Sequence, residues 1–187
     1  MNKIKKLLLI ISILLGLVKN SNSLEVYPMF GAWDYAHDTD AYAINLKFVD
    51  NENPVKTKFL GELQRTYDAS FFIDINDGFK NLEHSNNDWR SELSIYAATG
   101  LAKPLPITSN KKLNFIPSFS LGFYQEFEEG KDMGFPIEFK TEFGLNYSLF
   151  KNSTIGVSWN HISNADIGSK NPGSDNILFL FRVKEKF

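Results

Sequence analysis

The stretch of residues 135–149 reads FPIEFKTEFGLNYSL and shows the clearest alternation in the chain. Its odd-numbered positions are apolar or aromatic apart from one threonine, whereas its even-numbered positions carry Pro, Glu, Lys, Gly, Asn and Ser. Successive side chains of a β-strand point to opposite faces, while a helix repeats every 3.6 residues, so a period of two over this length excludes a helix. The stretch therefore predicts one long strand with an apolar face and a polar face.

The same alternation recurs along the chain. We predict eight strands, near residues 25–36, 41–49, 56–75, 90–101, 113–127, 134–149, 154–164 and 175–187. The third is either one long strand or two short ones. Turn-forming sequences separate the strands, among them residues 51–54 (NENP), 76–78 (NDG) and 171–173 (NPG). An even number of antiparallel strands with alternating faces is typical of a closed barrel.

The composition excludes several classes of function. The 187 residues include no cysteine, so the chain has no disulfide, no thiolate metal site and no cysteine nucleophile. The formal net charge is −2, and it becomes more negative once the lysine-containing first 23 residues are set aside. Nucleic-acid binding needs concentrated lysine and arginine, so the charge argues against a nucleic acid as partner.

Residues 1–23 have the pattern of a secretory signal peptide. Lysines near the start precede an apolar run from Leu7 to Val18, and residues 21–23 (SNS) supply small side chains before a possible cleavage site. The apolar run is too short for a transmembrane helix, which needs about 20 residues. We expect an exported protein with a single barrel domain over residues 24–187.

The alternation does not say which face points inward, and a soluble periplasmic lipocalin-like carrier would show it too. The polar faces favour a membrane barrel, because they are rich in Gly, Ser and Asn and hold single charges that can pair in a narrow lumen. These charges are Glu92, Glu138, Lys140, Glu142 and Arg182. We therefore expect Glu138 and Glu142 to belong to a structural network with Lys140 and Arg182, and not to a pair of glycosidase carboxylates.

Aromatic residues point the same way, because they fall mostly near the predicted strand ends, where the interfacial girdles of membrane barrels lie. They are Tyr27, Trp33, Tyr35, Trp89, Tyr147, Trp159 and Phe187. The final Phe187 also resembles the C-terminal aromatic residue of bacterial outer-membrane proteins. Together these features predict an all-β, eight-stranded antiparallel transmembrane barrel in the bacterial outer membrane.

One group of polar residues can carry chemistry. Residues 159–164 read WNHISN, so His161 and Ser163 share a face of a predicted strand, about 6.6 Å apart along it. Asp175 opens the next strand, and directly opposed residues have Cβ atoms about 5 Å apart, so the carboxylate can reach His161 if the register is right. A base, a hydroxyl and a carboxylate are the groups of a serine esterase.

All three side chains are predicted to point outward. His161 and Ser163 continue the apolar face of residues 155–159, and Asp175 continues the apolar face of residues 177–183. Polar groups facing hydrocarbon are costly unless they lie near the interface or pair with one another. A lipid substrate whose ester lies beside the barrel would explain the position of these groups.

The full pattern resembles a known signature. His161-Ile162-Ser163-Asn164, Asn171-Pro172-Gly173 and Asp175 together resemble the H-x-S-N…N-P-G-x-[acid] motif of the PagL-type lipid A 3-O-deacylases, also called the acyloxyacyl hydrolase family. Residues 136–147 extend the similarity. Members of this family are eight-stranded outer-membrane barrels that remove the 3-position acyl chain from lipid A without a cofactor. The resemblance implies lipid A, within lipopolysaccharide of the outer leaflet, as the partner of this chain.

The resemblance also implies roles for five residues. Ser163 would be the nucleophile, His161 the general base and Asp175 the acid that orients it, while Asn171 and Asn164 would help to bind the oxyanion. No metal or other cofactor is implied. The acid in the best-known form of the family is Glu. We expect the shorter Asp175 to affect the turnover rate more than the type of reaction. The main alternative is a structural or adhesive eight-stranded barrel without a working site, and a homo-oligomer is compatible with either function.

Overall fold

The computed structural model describes residues 24–34, 41–74, 92–127, 131–150 and 152–183. The predicted signal peptide, residues 1–23, lies outside the described residues, as do Tyr35, Trp89, Phe187 and the side chain of Glu92.

In the described parts of the chain, nine strands form one sheet. They are β1 (Leu24–Trp33), β2 (Ala41–Thr57), β3 (Gly61–Asp74), β4 (Glu92–Ala102), β5 (Leu105–Pro106), β6 (Leu113–Phe127), β7 (Ile137–Phe150), β8 (Ser153–Ser163) and β9 (Ser174–Val183). β5 has only two residues, and the other eight are the long strands that the alternation predicted.

The sheet closes on itself. Its strand order is β4-β3-β2-β1-β9-β8-β7-β6-β5, and β4 also pairs with β6, so the eight long strands form a continuous antiparallel ring. The prediction of an all-β, eight-stranded antiparallel barrel is confirmed. Within the described parts of the chain, no helix is long and apolar enough to cross a membrane.

The turn predicted at residues 51–54 is wrong. These residues belong to β2, which continues to Thr57, and the reversal of the chain lies at residues 58–60. The Asp50 carboxylate accepts hydrogen bonds from the backbone N–H groups of Glu52 and Asn53, at 3.0 and 3.1 Å, and the β2–β3 register shifts between Asp50 and Val55. The segment is thus a bulge within a strand, and not its end. The third predicted strand, residues 56–75, contains one long strand, β3, but its predicted start is wrong, because residues 56–57 belong to β2 and the turn at 58–60 lies inside the predicted range.

Apolar side chains cover the outside of the barrel. Exposed members of this surface include Phe30, Ile44, Phe119, Leu121, Phe143, Leu145, Ile155, Val157, Phe179 and Phe181. The alternate positions point inward and are polar over much of their length, as in β7, where Glu138, Lys140 and Glu142 are buried. This arrangement is the reverse of a lipocalin-like barrel, which places its apolar face inside.

The buried charges in the middle of the lumen pair with one another. Lys140 Nζ lies 2.8 Å from Asp68 Oδ1 and 3.3 Å from Glu142 Oε2, and Lys47 Nζ lies 2.5 Å from Glu142 Oε1. Lys140 and Glu142 therefore form part of an inward network, as predicted, whereas Glu138, which was predicted to join them, is buried on the same face but forms no ion pair among the described residues.

Arg182 departs from that prediction, because it belongs to a separate pair. Its guanidinium lies 2.9 Å from Glu25 Oε2 and 4.3 Å from the centroid of the Tyr27 ring. The predicted aromatic girdle is also wrong for two residues. Trp33 is 2% exposed and stacks on Phe72 inside the barrel, and Tyr27 packs against the same interior cluster. Tyr27 and Trp33 point inward because side chains alternate along β1 and both residues occupy its inward, odd-numbered positions.

Candidate active site

His161 and Asp175 face each other across two neighbouring strands. They are direct register partners of β8 and β9, and His161 Nδ1 lies 3.0 Å from Asp175 Oδ1. The side chains are 38% and 25% exposed, so the pair is accessible from outside while partly shielded from solvent. With Nδ1–H donating to the carboxylate, Nε2 is the ring atom left to accept a proton.

Ser163 ends β8 on the same outward face as His161. It lies opposite Phe139 of β7 and is half-buried. No hydrogen bond joins its hydroxyl to His161 or to any other residue that the structure describes. The structure thus brings together the predicted base and acid by a hydrogen bond, and places the predicted nucleophile beside them without that contact.

The imidazole of His161 stacks on an aromatic ring and lies close to a glycine. The Trp159 ring lies 6.4 Å from the imidazole centroid with an interplanar angle of 18°. At the edge of the imidazole, a Cβ added to Gly173 would lie 2.9 Å from His161 Cε1, and Gly173 has φ of 63°. Only glycine meets both conditions without strain, because it has no Cβ and tolerates positive φ. The packing therefore fixes the ring that carries the candidate base.

A row of stacked aromatic rings runs from this site over the outer face. Phe115 stacks on Phe143 with centroids 5.9 Å apart, and Phe143 stacks on Trp159 at 5.7 Å. Trp159 in turn stacks on His161. The row crosses β6, β7 and β8 and forms an apolar surface that begins at the candidate base.

Asn164 and Asn171 build the loop between β8 and β9. Asn164 is fully buried, and its Nδ2 donates to the carbonyls of Met133, at 2.7 Å, and Lys170, at 2.8 Å. Its backbone N–H donates to Asn171 Oδ1 at 3.0 Å, and Asn171 Nδ2 donates to Asp166 Oδ1 at 3.1 Å. Both side-chain hydrogens of Asn164 thus have acceptors in this structure, whereas Asn171 keeps one amide hydrogen, and the oxyanion role of these residues stays a prediction.

A second tether holds this loop to the segment before β7. Lys170 Nζ lies 2.7 Å from Asp132 Oδ2, and the Gly134 N–H donates to Asp132 Oδ1 at 2.8 Å. The hydrogen bonds from Lys170 and from the Gly134 backbone lower the pKa of the Asp132 carboxyl. The loop is therefore anchored by a buried amide and by an exposed ion pair.

Ala165 and Asp166, which directly follow Asn164, were not predicted as site residues. Ala165 and Asp166 have φ of 54° and 61°, a conformation that is uncommon outside glycine. Their N–H groups have no acceptor among the described residues. Consecutive strained residues of this kind cluster at functional sites, and alanine at 165 gives no sequence signal for positive φ.

A buried polar network beneath the site fixes the strand register. Asn160 and Asn176, the inward partners next to His161 and Asp175, are joined by an Nδ2–Oδ1 hydrogen bond of 2.8 Å. Asn176 Oδ1 also accepts from the Ser174 hydroxyl at 3.1 Å and from the Asp34 backbone at 3.0 Å. A saturated network of this kind favours one register over its neighbours, and it keeps His161 opposite Asp175.

Comparisons with known proteins give two matches. A family model described as "Lipid A 3-O-deacylase (PagL)" matches residues 65–184, which include β8, the following loop and β9. Among solved structures, the chain is similar to one titled "Crystal structure of the outer membrane enzyme PagL", with 13% sequence identity and a TM-score of 0.53, covering 86% of this chain and 99% of that chain. No curated protein matches the sequence.

Proposed function

Because the chain belongs to the lipid A 3-O-deacylase (PagL) family, we propose that it is an outer-membrane serine esterase that hydrolyses the 3-O-linked acyl chain of lipid A. The observation that carries this proposal is the 3.0 Å contact between His161 Nδ1 and Asp175 Oδ1 on the outward face of the barrel, next to Ser163. The apolar exterior supports a membrane location, with the loop end of the site at the outer surface.

In the proposed reaction, Ser163 Oγ attacks the ester carbonyl while His161 Nε2 takes the hydroxyl proton. The tetrahedral intermediate then collapses, and His161 returns the proton to the 3-hydroxyl oxygen of the sugar as it leaves. Water, activated by the same nitrogen, hydrolyses the acyl-enzyme and releases a fatty acid. Asp175 holds the imidazole in the required tautomer and stabilises its charged form. The reaction requires the Ser163 hydroxyl to turn toward Nε2.

The oxyanion of the intermediate needs donors, and three are candidates. The N–H groups of Ala165 and Asp166 are close to Ser163 in sequence and have no acceptor among the residues described, and Asn171 retains one amide hydrogen. Removing one such donor typically costs about 3 kcal/mol of transition-state stabilisation. We assign Asn164 to positioning instead, because it holds the loop that carries these donors.

The position of the site suits a substrate that approaches sideways through the outer leaflet. The aromatic row Phe115, Phe143 and Trp159 begins at His161 and descends over the apolar exterior. An acyl chain lying along this row would bring its ester carbonyl to Ser163 without entering the lumen. The short Asp175 is compatible with the reaction, because direct cross-strand pairing brings its carboxylate to hydrogen-bonding distance of His161.

The experiment that tests the proposal uses the purified chain in detergent with lipopolysaccharide as substrate and mass spectrometry of the released fatty acids. We expect the wild-type chain to release a 3-linked hydroxy fatty acid, and Ser163→Ala to reduce the rate by about 10³-fold or more. Ser153→Ala, at the far end of the same strand, is the matched control. Wild-type release in the Ser163→Ala variant would reject the assignment of the nucleophile, and no release by the wild type would favour the structural barrel.

A further inference from the structure

A groove on the exterior begins at the end of the barrel opposite to the candidate active site and extends toward the middle of the wall, where Leu121 pairs with Phe139, the register partner of Ser163. It has a volume of about 950 Å³ and runs over β3, β4 and β6. Two rows of outward side chains form it: Tyr67, Thr99 and Leu121 are successive cross-strand partners, and Arg65, Leu101 and Phe119 form the next row toward the end. Thr99 forms the floor of the groove, because its side chain is smaller than those of Tyr67 and Leu121 on the neighbouring strands.

Two cations lie at the end of this apolar groove. Arg65 is exposed, and the Lys103 ammonium is held at the rim by donating to the Leu60 carbonyl. No acidic side chain is among the described residues that line the groove. Asp50, the cross-strand register partner of Arg65, accepts hydrogen bonds from the backbone N–H groups of Glu52 and Asn53. The described lining at this end of the groove therefore carries two positive charges and no carboxylate.

We propose that this groove binds one anionic diacyl phospholipid, with the phosphate on Arg65 and Lys103 and an acyl chain along Leu101, Phe119 and Leu121. Arginine forms bidentate hydrogen bonds to phosphate, and lysine adds a second charge. Apolar side chains continue the surface past the strand ends: Phe59 is 91% exposed, Leu60 55% and Ile107 56%. A cationic end on an apolar groove matches a lipid with an anionic head and hydrocarbon tails.

The alternative occupants fit less well. A second copy docked by this face across a two-fold axis would present the same lining, which holds no acidic side chain, so the charges of Arg65 and Lys103 would find no opposite charge there. Lipid A would lie in the opposite leaflet if the candidate active site faces outward. The proposal rests on the membrane location given under the proposed function, but not on the esterase chemistry.

Native mass spectrometry of the full chain, released from non-ionic detergent, tests the proposal. Phosphatidylglycerol, phosphatidylcholine and inorganic phosphate are the three probes. We expect one phosphatidylglycerol per barrel, and at least about tenfold weaker retention of phosphatidylcholine, since it lacks the net negative charge. Inorganic phosphate alone is expected not to be retained, because it has no acyl chain.

Variants separate the two halves of the groove. Arg65→Gln with Lys103→Gln removes the cations, and Thr99→Trp fills the floor while keeping them; both are expected to lose phosphatidylglycerol by about tenfold. Lys56→Gln with Lys112→Gln changes the charge equally at residues outside the groove and is expected to bind as the wild type does. The shift of gel mobility on heating shows that each barrel is folded.

Four outcomes would overturn the proposal: equal retention of both phospholipids, undiminished binding by the Arg65→Gln/Lys103→Gln variant, retention of phosphate alone, or a dimer that these substitutions abolish. The hydrolysis assay keeps this proposal distinct from the proposed function. The groove variants are expected to hydrolyse lipopolysaccharide in detergent at the wild-type rate, while Ser163→Ala is expected to keep phosphatidylglycerol. Either proposal can therefore fail without the other.

Discussion

Gly173 lies against the edge of the His161 imidazole, so closely that a Cβ at position 173 would stand 2.9 Å from Cε1. The asparagine-proline-glycine sequence thus does more than reverse the chain. It brings a backbone without a side chain to the ring, and this contact limits how the ring can turn away from Asp175.

Gly173→Ala is therefore expected to damage the site more than the fold. The new methyl group must displace the imidazole and break its contact with Asp175, and a misplacement of about 1 Å can lower kcat by about 100-fold. Positive φ adds about 1 kcal/mol of strain. The matched control is Gly61→Ala, at φ of 70° with nothing within 4 Å of the added Cβ. Equal loss of fatty-acid release in both variants would contradict the positioning role.

Asp175→Asn tests the orienting role of the carboxylate. The amide can present a hydrogen to Nδ1 and so favour the wrong tautomer, and we expect kcat to fall by about 10³- to 10⁴-fold with little change in KM. Asp175→Glu keeps the charge and is expected to retain measurable hydrolysis. The rates are measured on lipopolysaccharide in detergent. An Asn variant that works as well as the Glu variant would exclude Asp175 from the reaction.

The strands could be predicted from the sequence because one face of each strand is apolar and the other is polar, which gives a period of two, as in residues 135–149. The error at residues 51–54 has a local cause. Asparagine and proline favour turns, but the Asp50 carboxylate gives the backbone N–H groups of this segment an acceptor inside the strand. Trp33 shows another limit, because composition near a strand end does not say which face a residue occupies.

The sequence predicted which residues form the candidate site, but it did not predict most of the contacts that hold them. Parity placed His161 and Asp175 on one face, but their register depends on the buried Asn160–Asn176 bond, which joins residues whose pairing no local pattern specifies. The resemblance implied an oxyanion role for Asn164, and nothing in the local sequence indicates that its amide donates to Met133, 31 positions away in the chain. Contacts between residues so far apart in the chain produce no periodic pattern in the sequence from which they could be predicted.

Asn164→Ala is expected to loosen the loop rather than remove a reacting group. It leaves the carbonyls of Met133 and Lys170 without their donor, which costs about 1 to 3 kcal/mol for buried groups. Hydrogen exchange should increase over residues 164–173, and hydrolysis should fall with it. Asn152→Ala, in an exposed turn at the other end of β8, provides the control. Lost activity with unchanged exchange would point instead to a direct role for the amide.

The exposed tether between Asp132 and Lys170 predicts a pH dependence of known sign. The pKa of Asp132 is lowered in the folded chain, so the tether is intact above the ordinary carboxyl pKa of about 4 and is lost as the pH falls through the lowered value. The Gly134 amide proton, which donates to Asp132, reports this titration by NMR. Lys170→Ala should move the midpoint upward, whereas Lys112→Ala should not. An unchanged midpoint in Lys170→Ala would remove Lys170 as the cause.

The lumen network predicts a large effect on stability without an effect on chemistry. Lys140→Met removes one of the two lysines that Asp68 and Glu142 share, so that both buried carboxylates are left with Lys47 alone, and breaking such a group typically lowers the free energy of unfolding by about 3 to 5 kcal/mol. Lys56→Met breaks an exposed pair with Glu62 and should cost less than about 1 kcal/mol. Urea unfolding in micelles measures both. Hydrolysis per folded barrel should match the wild type, because these charges lie inside and Ser163 lies outside; a specific loss of activity in Lys140→Met would mean that the lumen and the site are coupled.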